Sequence, residues 1–411
     1  MPAGRRLRLG AAVGALALAA CSAPTAESEG PSSDPAPSST ELFDIAERDP
    51  LPFPGYDIDR VTIAPLPPLG GAGSEATPPL TGWAAFDATL NRSVLGGGSD
   101  AVSVAVAIDG EIVHEAAMGA RVPDTFDAVE VTDKFRIASI SKPITAVTVL
   151  QLVEEGIVGL DDPVGSIVAG AVGVGAPSAG VAELTIRQLV THTSGFAQYE
   201  SLFFRNQVGS CEEAAAVGVS RSLQGKGFRY SNMNYCVLGL LIEQLTGQDY
   251  EQVVYEQLLT PLGISGMRLA PTHDPGPGEV VHRSVPGRNY MEVLGAAGAW
   301  VASPSDIVTI FDSLDLATPG WKPLEADTLA VMKTAVNDPL APDRGYGMGV
   351  ILYGGGSAGH TGTIESTHAM VLDRVDNVTW AVTVSGQNPS DTVRLAGMVD
   401  RALAAGGFVA G

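Results

Sequence analysis

The chain has 411 residues, is 45% hydrophobic and 17% charged, and carries a net charge of −22 at pH 7. That apolar content sustains a sizeable core, which excludes wholesale disorder, and the acidic balance excludes nucleic acid as a partner, because phosphate contact needs a basic face. No apolar run reaches about 18 residues, so a polytopic membrane protein is excluded, and three cysteines with six histidines leave little for an iron–sulfur cluster or a zinc cage.

Arg5, Arg6 and Arg8 precede a 12-residue apolar stretch, Leu9 to Ala20. It is too short to span a membrane and predicts a secretory signal over 1–20. The run Leu18-Ala19-Ala20-Cys21 resembles a bacterial lipobox, which implies cleavage before Cys21, a lipid on that cysteine, and a lipoprotein on the outer face of the cell membrane. Residues 21–81 hold 12 of the 28 prolines and read as a Pro/Ser-rich tether followed by an extended strap. The globular part is expected over 82–411.

Val102–Ile108 predicts a strand, Asp109-Gly110 a tight turn, and Glu111–Met118 the returning strand. Helical spacing runs over 141–155 and stops at Gly156. The middle, about 157–320, predicts a helical subdomain, with helices at Thr185–Val190, Tyr235–Thr246, Tyr250–Leu259 and Ser305–Leu314. Met348–Tyr353, Thr367–Asp373 and Val378–Ser385 predict strands, and Asp391–Leu403 a last helix. The expected class is α+β, an antiparallel sheet built from both ends of the globular part and flanked by helices, beside the helical subdomain.

Two motifs mislead. Gly355-Gly356-Ser357-Ala358-Gly359 matches a nucleophile elbow but lacks the helix that must follow it, and reads as a glycine hairpin. Gly71 to Ala76 mimics a dinucleotide loop without a strand before it. Three other motifs carry chemistry. In Ser139-Ile140-Ser141-Lys142, residues three apart share a helix face, so the Lys142 amine reaches the Ser139 hydroxyl at a helix start. Burial there would lower the lysine's pKa and make it a base. Tyr230-Ser231-Asn232 offers a hydroxyl for proton transfer and an amide to hold a carbonyl and the lysine together; the plainer reading is a core tyrosine followed by helix caps. Gly359-His360-Thr361-Gly362-Thr363 enters a strand along which a substrate can lie.

In this order the three motifs resemble S-x-x-K, Y-x-N and [KH]-[TS]-G of the penicillin-recognising serine hydrolases, the family of class C β-lactamases, D,D-peptidases and related esterases. The resemblance covers about residues 95–405 and implies a β-lactamase/transpeptidase-like fold with no metal or cofactor. It implies Ser139 as nucleophile, with Lys142 and Tyr230 sharing acid/base work. Asn232, His360, Thr361 and Gly362 would bind substrate, and the N–H groups of Ser139 and Thr363 would form the oxyanion hole. His192-Thr193-Ser194 is expected to be a structural turn and not part of a triad. The chain departs from the pattern in three ways. His360 stands where many β-lactamases have lysine, Ile364-Glu365-Ser366 lacks a glycine near 366, and Met348–Tyr353 has no arginine.

The substrate class is therefore a small molecule or a peptidoglycan-derived peptide or ester. The alternative is an idle envelope lipoprotein that binds muropeptide or a protein partner. Glu365 beside the cleft would disfavour a free carboxylate, and His360 would charge below about pH 6, near its reference pKa. Cys211 and Cys236 remain after lipidation of Cys21 and are expected to pair in an oxidising compartment, bracing the Tyr230–Asn232 segment.

Overall fold

The computed structural model describes residues 80–408 apart from Lys226 and residues 337–343. The expected signal segment 1–20, the expected lipidation site Cys21 and residues up to 79 of the expected tether and strap lie outside the described residues. Helix α1 (Gly82–Val94), absent from the sequence reading, buries Phe86, Leu90 and Val94 along one face. Strand β1 (Ala101–Ile108) turns back at Asp109 and Gly110, whose φ angles of 53° and 80° give the left-handed pair that a two-residue hairpin needs, and returns as β2 (Glu111–Gly119).

β1 is buried along almost its whole length because both of its faces are covered. Val102, Val104 and Val106 point to one core, with Val378, Trp380, Val382 and Val384 of β10 (Val378–Ser385). Ala105, Ala107 and Ala381 point to the other. The large side chains meet α1 and the last helix, α5 (Thr392–Gly406). The small ones let helices pack closely on the opposite face: α2 (Ser141–Glu154), α3 (Asn232–Thr246) and α4 (Pro304–Ser313) belong to that core. An all-apolar strand in an antiparallel sheet thus follows from helices on both sides.

The main sheet runs β2-β1-β10-β9-β8-β7-β6, with β6 at Arg344–Tyr346, β7 at Ile351–Tyr353, β8 at Ala358–Ile364 and β9 at Thr367–Asp373. All its pairings are antiparallel, and Ala101 of β1 stands opposite Ser385 of β10. The two ends of the globular part therefore build one sheet, as expected. A smaller sheet joins β3 (Phe135–Arg136), β5 (Trp300–Ala302) and β4 (Arg268–Leu269).

Several boundaries differ from expectation. The 157–320 segment is helical only in part: it contains β4 and β5, and α4 packs on the main sheet. Helix α3 starts at Asn232 instead of Tyr235, because Ser231 caps it by accepting from the Met233 N–H. The helix from Tyr250 passes into a π-helical turn at Tyr255–Leu259, where the Thr260 N–H bonds the Tyr255 carbonyl. β7 begins only at Ile351, since Gly349 takes φ 82° to pass α2, where a Cβ would lie 2.5 Å from that of Ala146. The glycine stretch 354–356 links β7 to β8 as a hairpin.

Candidate active site

Ser139 sits in a 3₁₀ turn (Ala138–Ile140) between β3 and α2. The turn is held by Ile137, whose N–H donates to the Trp300 carbonyl at 3.1 Å. Ala138 has φ 47°, a left-handed conformation that costs an alanine on the order of 1–3 kcal/mol and presents the next side chain outward. Pro143 in the first turn of α2 lacks an N–H where none would be bonded within the helix, so it stabilises the helix start.

Lys142 is wholly buried. Its Nζ lies 2.9 Å from Ser139 Oγ, 2.9 Å from Asn232 Oδ1 and 2.8 Å from the Ala297 carbonyl. Burial pushes its pKa well below the ordinary lysine range. A neutral amine has two N–H groups and one lone pair. The Asn232 and Ala297 oxygens accept the two N–H groups, which leaves the lone pair for the Ser139 hydroxyl. Hydrogen-bond stoichiometry and desolvation thus favour the same state, a free base aimed at a serine. The Tyr230 ring covers the amine, with its centroid 4.9 Å away.

Tyr230 and Asn232 are set by the residue between them. The Ser231 N–H donates to His192 Nδ1 at 3.2 Å and its Oγ to the Ala197 carbonyl at 2.6 Å. His192 Nδ1 also meets Asn234 Nδ2 at 2.8 Å, and Ser194 Oγ donates to Asn234 Oδ1 at 2.5 Å. The His192 ring packs 4.3 Å from that of Tyr230. Burial lowers the His192 pKa. His192 and Ser194 are therefore each engaged by Asn234, and this segment is a buried support for the Tyr230–Asn232 turn.

β8 forms the opposite wall. Gly362 passes so close to the serine turn that a Cβ there would lie 2.2 Å from the Ile137 carbonyl oxygen. His360 is buried, with Nδ1 2.7 Å from the Thr361 carbonyl and Nε2 3.3 Å from the Tyr346 hydroxyl. A carbonyl only accepts, so Nδ1 carries the proton and Nε2 accepts from Tyr346. Burial, and then repulsion from Lys142 whenever that amine is protonated, push the His360 pKa down to about 3. The expectation that His360 charges below about pH 6 is thereby corrected: the reference value belongs to a solvated imidazole, and this one is buried.

Ser139, Tyr230, Asn232, His360, Thr361 and Thr363 line one cleft. The sequence reading missed its remaining walls, Gln198, Glu200, Phe204, Leu294, Gly298, Ile351 and Ile364. Glu200 is the one carboxylate among the described lining residues. Glu365 is instead turned aside, its Oε2 accepting from the Val285 N–H at 3.1 Å. Arg344 lies on β6 with its guanidinium 5.8 Å from the Tyr353 ring centroid and is not among the described lining residues. The missing glycine is replaced by Ser366, which takes φ 51° in the β8–β9 turn. Cys211 and Cys236 are joined, with Cα atoms 5.6 Å apart.

The family model described as Beta-lactamase matches residues 86–405. The chain belongs to the beta-lactamase family. Penicillin-binding protein 4* of Bacillus subtilis (strain 168) is 29% identical over 176 residues, 41% of this chain and 37% of that protein. The chain spans about two fifths of the length of the first curated relatives it matches. Among solved structures, SurE with D-Leu aligns with a TM-score of 0.63 at 26% identity, covering 80% of this chain and 77% of that one. D-amino acid amidase from Ochrobactrum anthropi SV3 aligns with a TM-score of 0.64 at 23% identity, covering 78% and 99%. In this beta-lactamase-family chain the S-x-x-K, Y-x-N and H-T-G motifs, far apart in sequence, face one another across a single cleft.

Proposed function

We propose that the protein is an exported, lipid-anchored serine hydrolase that forms an acyl-enzyme at Ser139. The observation that carries this reading is the buried Lys142 amine, with two fixed acceptors and the Ser139 hydroxyl as its third neighbour. Ser139 Oγ attacks the substrate carbonyl while its proton passes to Lys142 Nζ. The N–H groups of Ser139 and Thr363 receive the oxyanion, as preorganised donors. The tetrahedral intermediate expels the amine or alcohol, which takes a proton from the Tyr230 hydroxyl. Water then attacks the ester on Ser139, and its proton returns by the same groups. Asn232, His360, Thr361 and Gly362 hold the substrate between α3 and β8. Anchoring through Cys21 rests on the Leu18–Cys21 run and the apolar stretch before it.

Within this class we favour short acyl donors without a free carboxylate. The described lining of the cleft has no arginine or lysine, so a free carboxylate on the substrate finds no bidentate cationic partner there. Phe204, Leu294 and Ile351 suit a small apolar side chain. The test is a panel of aminoacyl amides and esters of both configurations, free and N-acetylated, beside a peptide ending in D-Ala-D-Ala. A fluorophosphonate probe should label Ser139 and spare Ser139→Ala. An adduct on Ser194 or Ser357 overturns the nucleophile. A higher kcat/KM for the free-carboxylate peptide overturns the substrate class.

A further inference from the structure

Lys142 has two acceptors besides Ser139, and both belong to segments that meet at the Cys211–Cys236 bridge. Asn232 opens α3, and Cys236 lies one turn further along the same helix. Ala297 closes the turn Gly295–Ala297. Cys211 packs directly on that turn: a Cβ placed on Gly295 would lie 3.2 Å from the Cys211 Cβ and 3.6 Å from its Sγ. α3 presses on the same turn from the other side, where a Cβ on Gly239 would lie 2.6 Å from that of Ala296. The Ala296 carbonyl accepts from Thr145 Oγ at 2.8 Å, and the Ala297 carbonyl takes the Lys142 amine. The bridge thus ties α3, which carries Asn232, to Cys211, which packs on the turn that carries the Ala297 carbonyl.

The bridge is also reachable. Cys236 is fully buried, but Cys211 is half-buried and lines a groove of about 700 Å³. Glu212, Glu243, Asp249, Glu251 and Glu292 line it too, with no lysine or arginine among the described residues. Carboxylates around a disulfide repel anionic thiols and attract cationic ones.

We propose that Cys211–Cys236 is a thiol-addressable brace that positions Lys142, open to small cationic thiols through the acidic groove. A thiolate attacks Cys211 Sγ, the Sγ–Sγ bond breaks, and the Cys236 thiolate leaves and takes a proton. A second thiolate displaces the first from Cys211, giving the dithiol protein and one small-molecule disulfide, a two-electron exchange. With the brace open, the Ala297 turn and α3 move apart and the amine loses its fixed position over Ser139. The proposal rests on the acyl-enzyme reading.

The experiment follows fluorophosphonate labelling of the full-length protein at about pH 8 in four states: oxidised, reduced by cysteamine, reduced by mercaptoethanesulfonate, and reoxidised. Intact mass reports the thiol state of each sample. Labelling should slow by about tenfold or more on reduction, the scale of a sub-ångström misplacement of a reacting group, and recover on reoxidation. The midpoint of the labelling pH profile should also shift on reduction, which mere loss of stability would not produce. Per thiolate, cysteamine should open the bridge about tenfold faster than the sulfonate at low salt, with the gap closing at high salt. Cys211→Ala/Cys236→Ala should label slowly and ignore thiols; if that variant does not fold, the reduction series on the unmodified protein decides alone. Unchanged labelling and pH midpoint in protein shown to be reduced overturn the brace, and equal reduction rates for the two thiols overturn its selectivity. Absence of labelling in the oxidised protein instead removes the acyl-enzyme reading, and the brace with it.

Discussion

Replacing Gly362 by alanine separates the position of β8 from the chemistry of its side chains. The new Cβ would stand 2.2 Å from the Ile137 carbonyl oxygen, where real Cβ contacts are not found under 3.0 Å, so the strand and the serine turn must part by about 0.8 Å. Neither side yields easily. Gly362 is paired with Ala369 of β9, and Ile137 is tied to the Trp300 carbonyl. Overpacking of this kind costs about 1–3 kcal/mol, which leaves a domain of this size folded at 25 °C. The displacement falls between Ser139 and the Thr363 N–H, and a misplacement near 1 Å lowers rates by about a hundredfold. The assay is the second-order rate of fluorophosphonate labelling, with calorimetry alongside. Asp391→Ala serves as the control: it removes the N-cap of α5, on the far face of the sheet, at about 1 kcal/mol and should label at the unmodified rate. Labelling of Gly362→Ala within threefold of the unmodified protein would refute the reasoning.

Lys142→Met should reduce labelling by about a hundredfold or more, because positioned proton transfer typically contributes that much; Lys142→Arg should fail similarly, since a guanidinium does not give up its proton. Rates near the unmodified value for either would make the amine a bystander. The His360 imidazole should show no NMR titration between about pH 8 and pH 5, its pKa being held at about 3 by burial; a midpoint above pH 5 contradicts the buried, neutral ring. Because the folded value lies below the unfolded value of about 6.5, the unfolded chain binds more protons in that window, and the stability tied to His360 falls as pH drops through it, by roughly 3 kcal/mol at pH 4. Burial raises Asp312 to about 6 and Asp400 to about 7, which acts in the opposite direction, so the effect is read as the difference between the unmodified protein and His360→Gln. A difference that does not change with pH contradicts it.

What was legible in the sequence follows from the range of the signal. The Ser139–Lys142 contact is encoded by a three-residue spacing, and the Asp109-Gly110 hairpin by two residues that accept positive φ. β1, β9 and β10 stood out by their apolar content, whereas β6, Arg344–Tyr346, offers no such run and was not predicted. Helix α1 was missed because Gly82, Ala84, Ala85 and Ala88 dilute its apolar face. The Ala297 carbonyl that completes the lysine's environment has no side-chain signature at all. Glu200 was missed for a related reason: it enters the cleft through the left-handed Tyr199 just before it, and nothing local marks which way such a turn sends the chain. The state of His360 depends on Tyr346 and on exclusion of water, both properties of the folded interior.

The pairing of β1 with β10 has a consequence for how the chain comes to be active. Ala101 and Ser385 are partners across nearly the whole length of the globular part, so closing the sheet requires loops of great length to be ordered first. Contacts of such long range are formed late and slowly. On a chain emerging from the ribosome with its N-terminus leading, Ser139 and Lys142 appear long before Thr363 and the strand that carries it. Under the proposed mechanism the serine and lysine are made before the Asn232 and Ala297 acceptors that fix the amine and before the second oxyanion donor, so acylation must wait for the last strands to arrive.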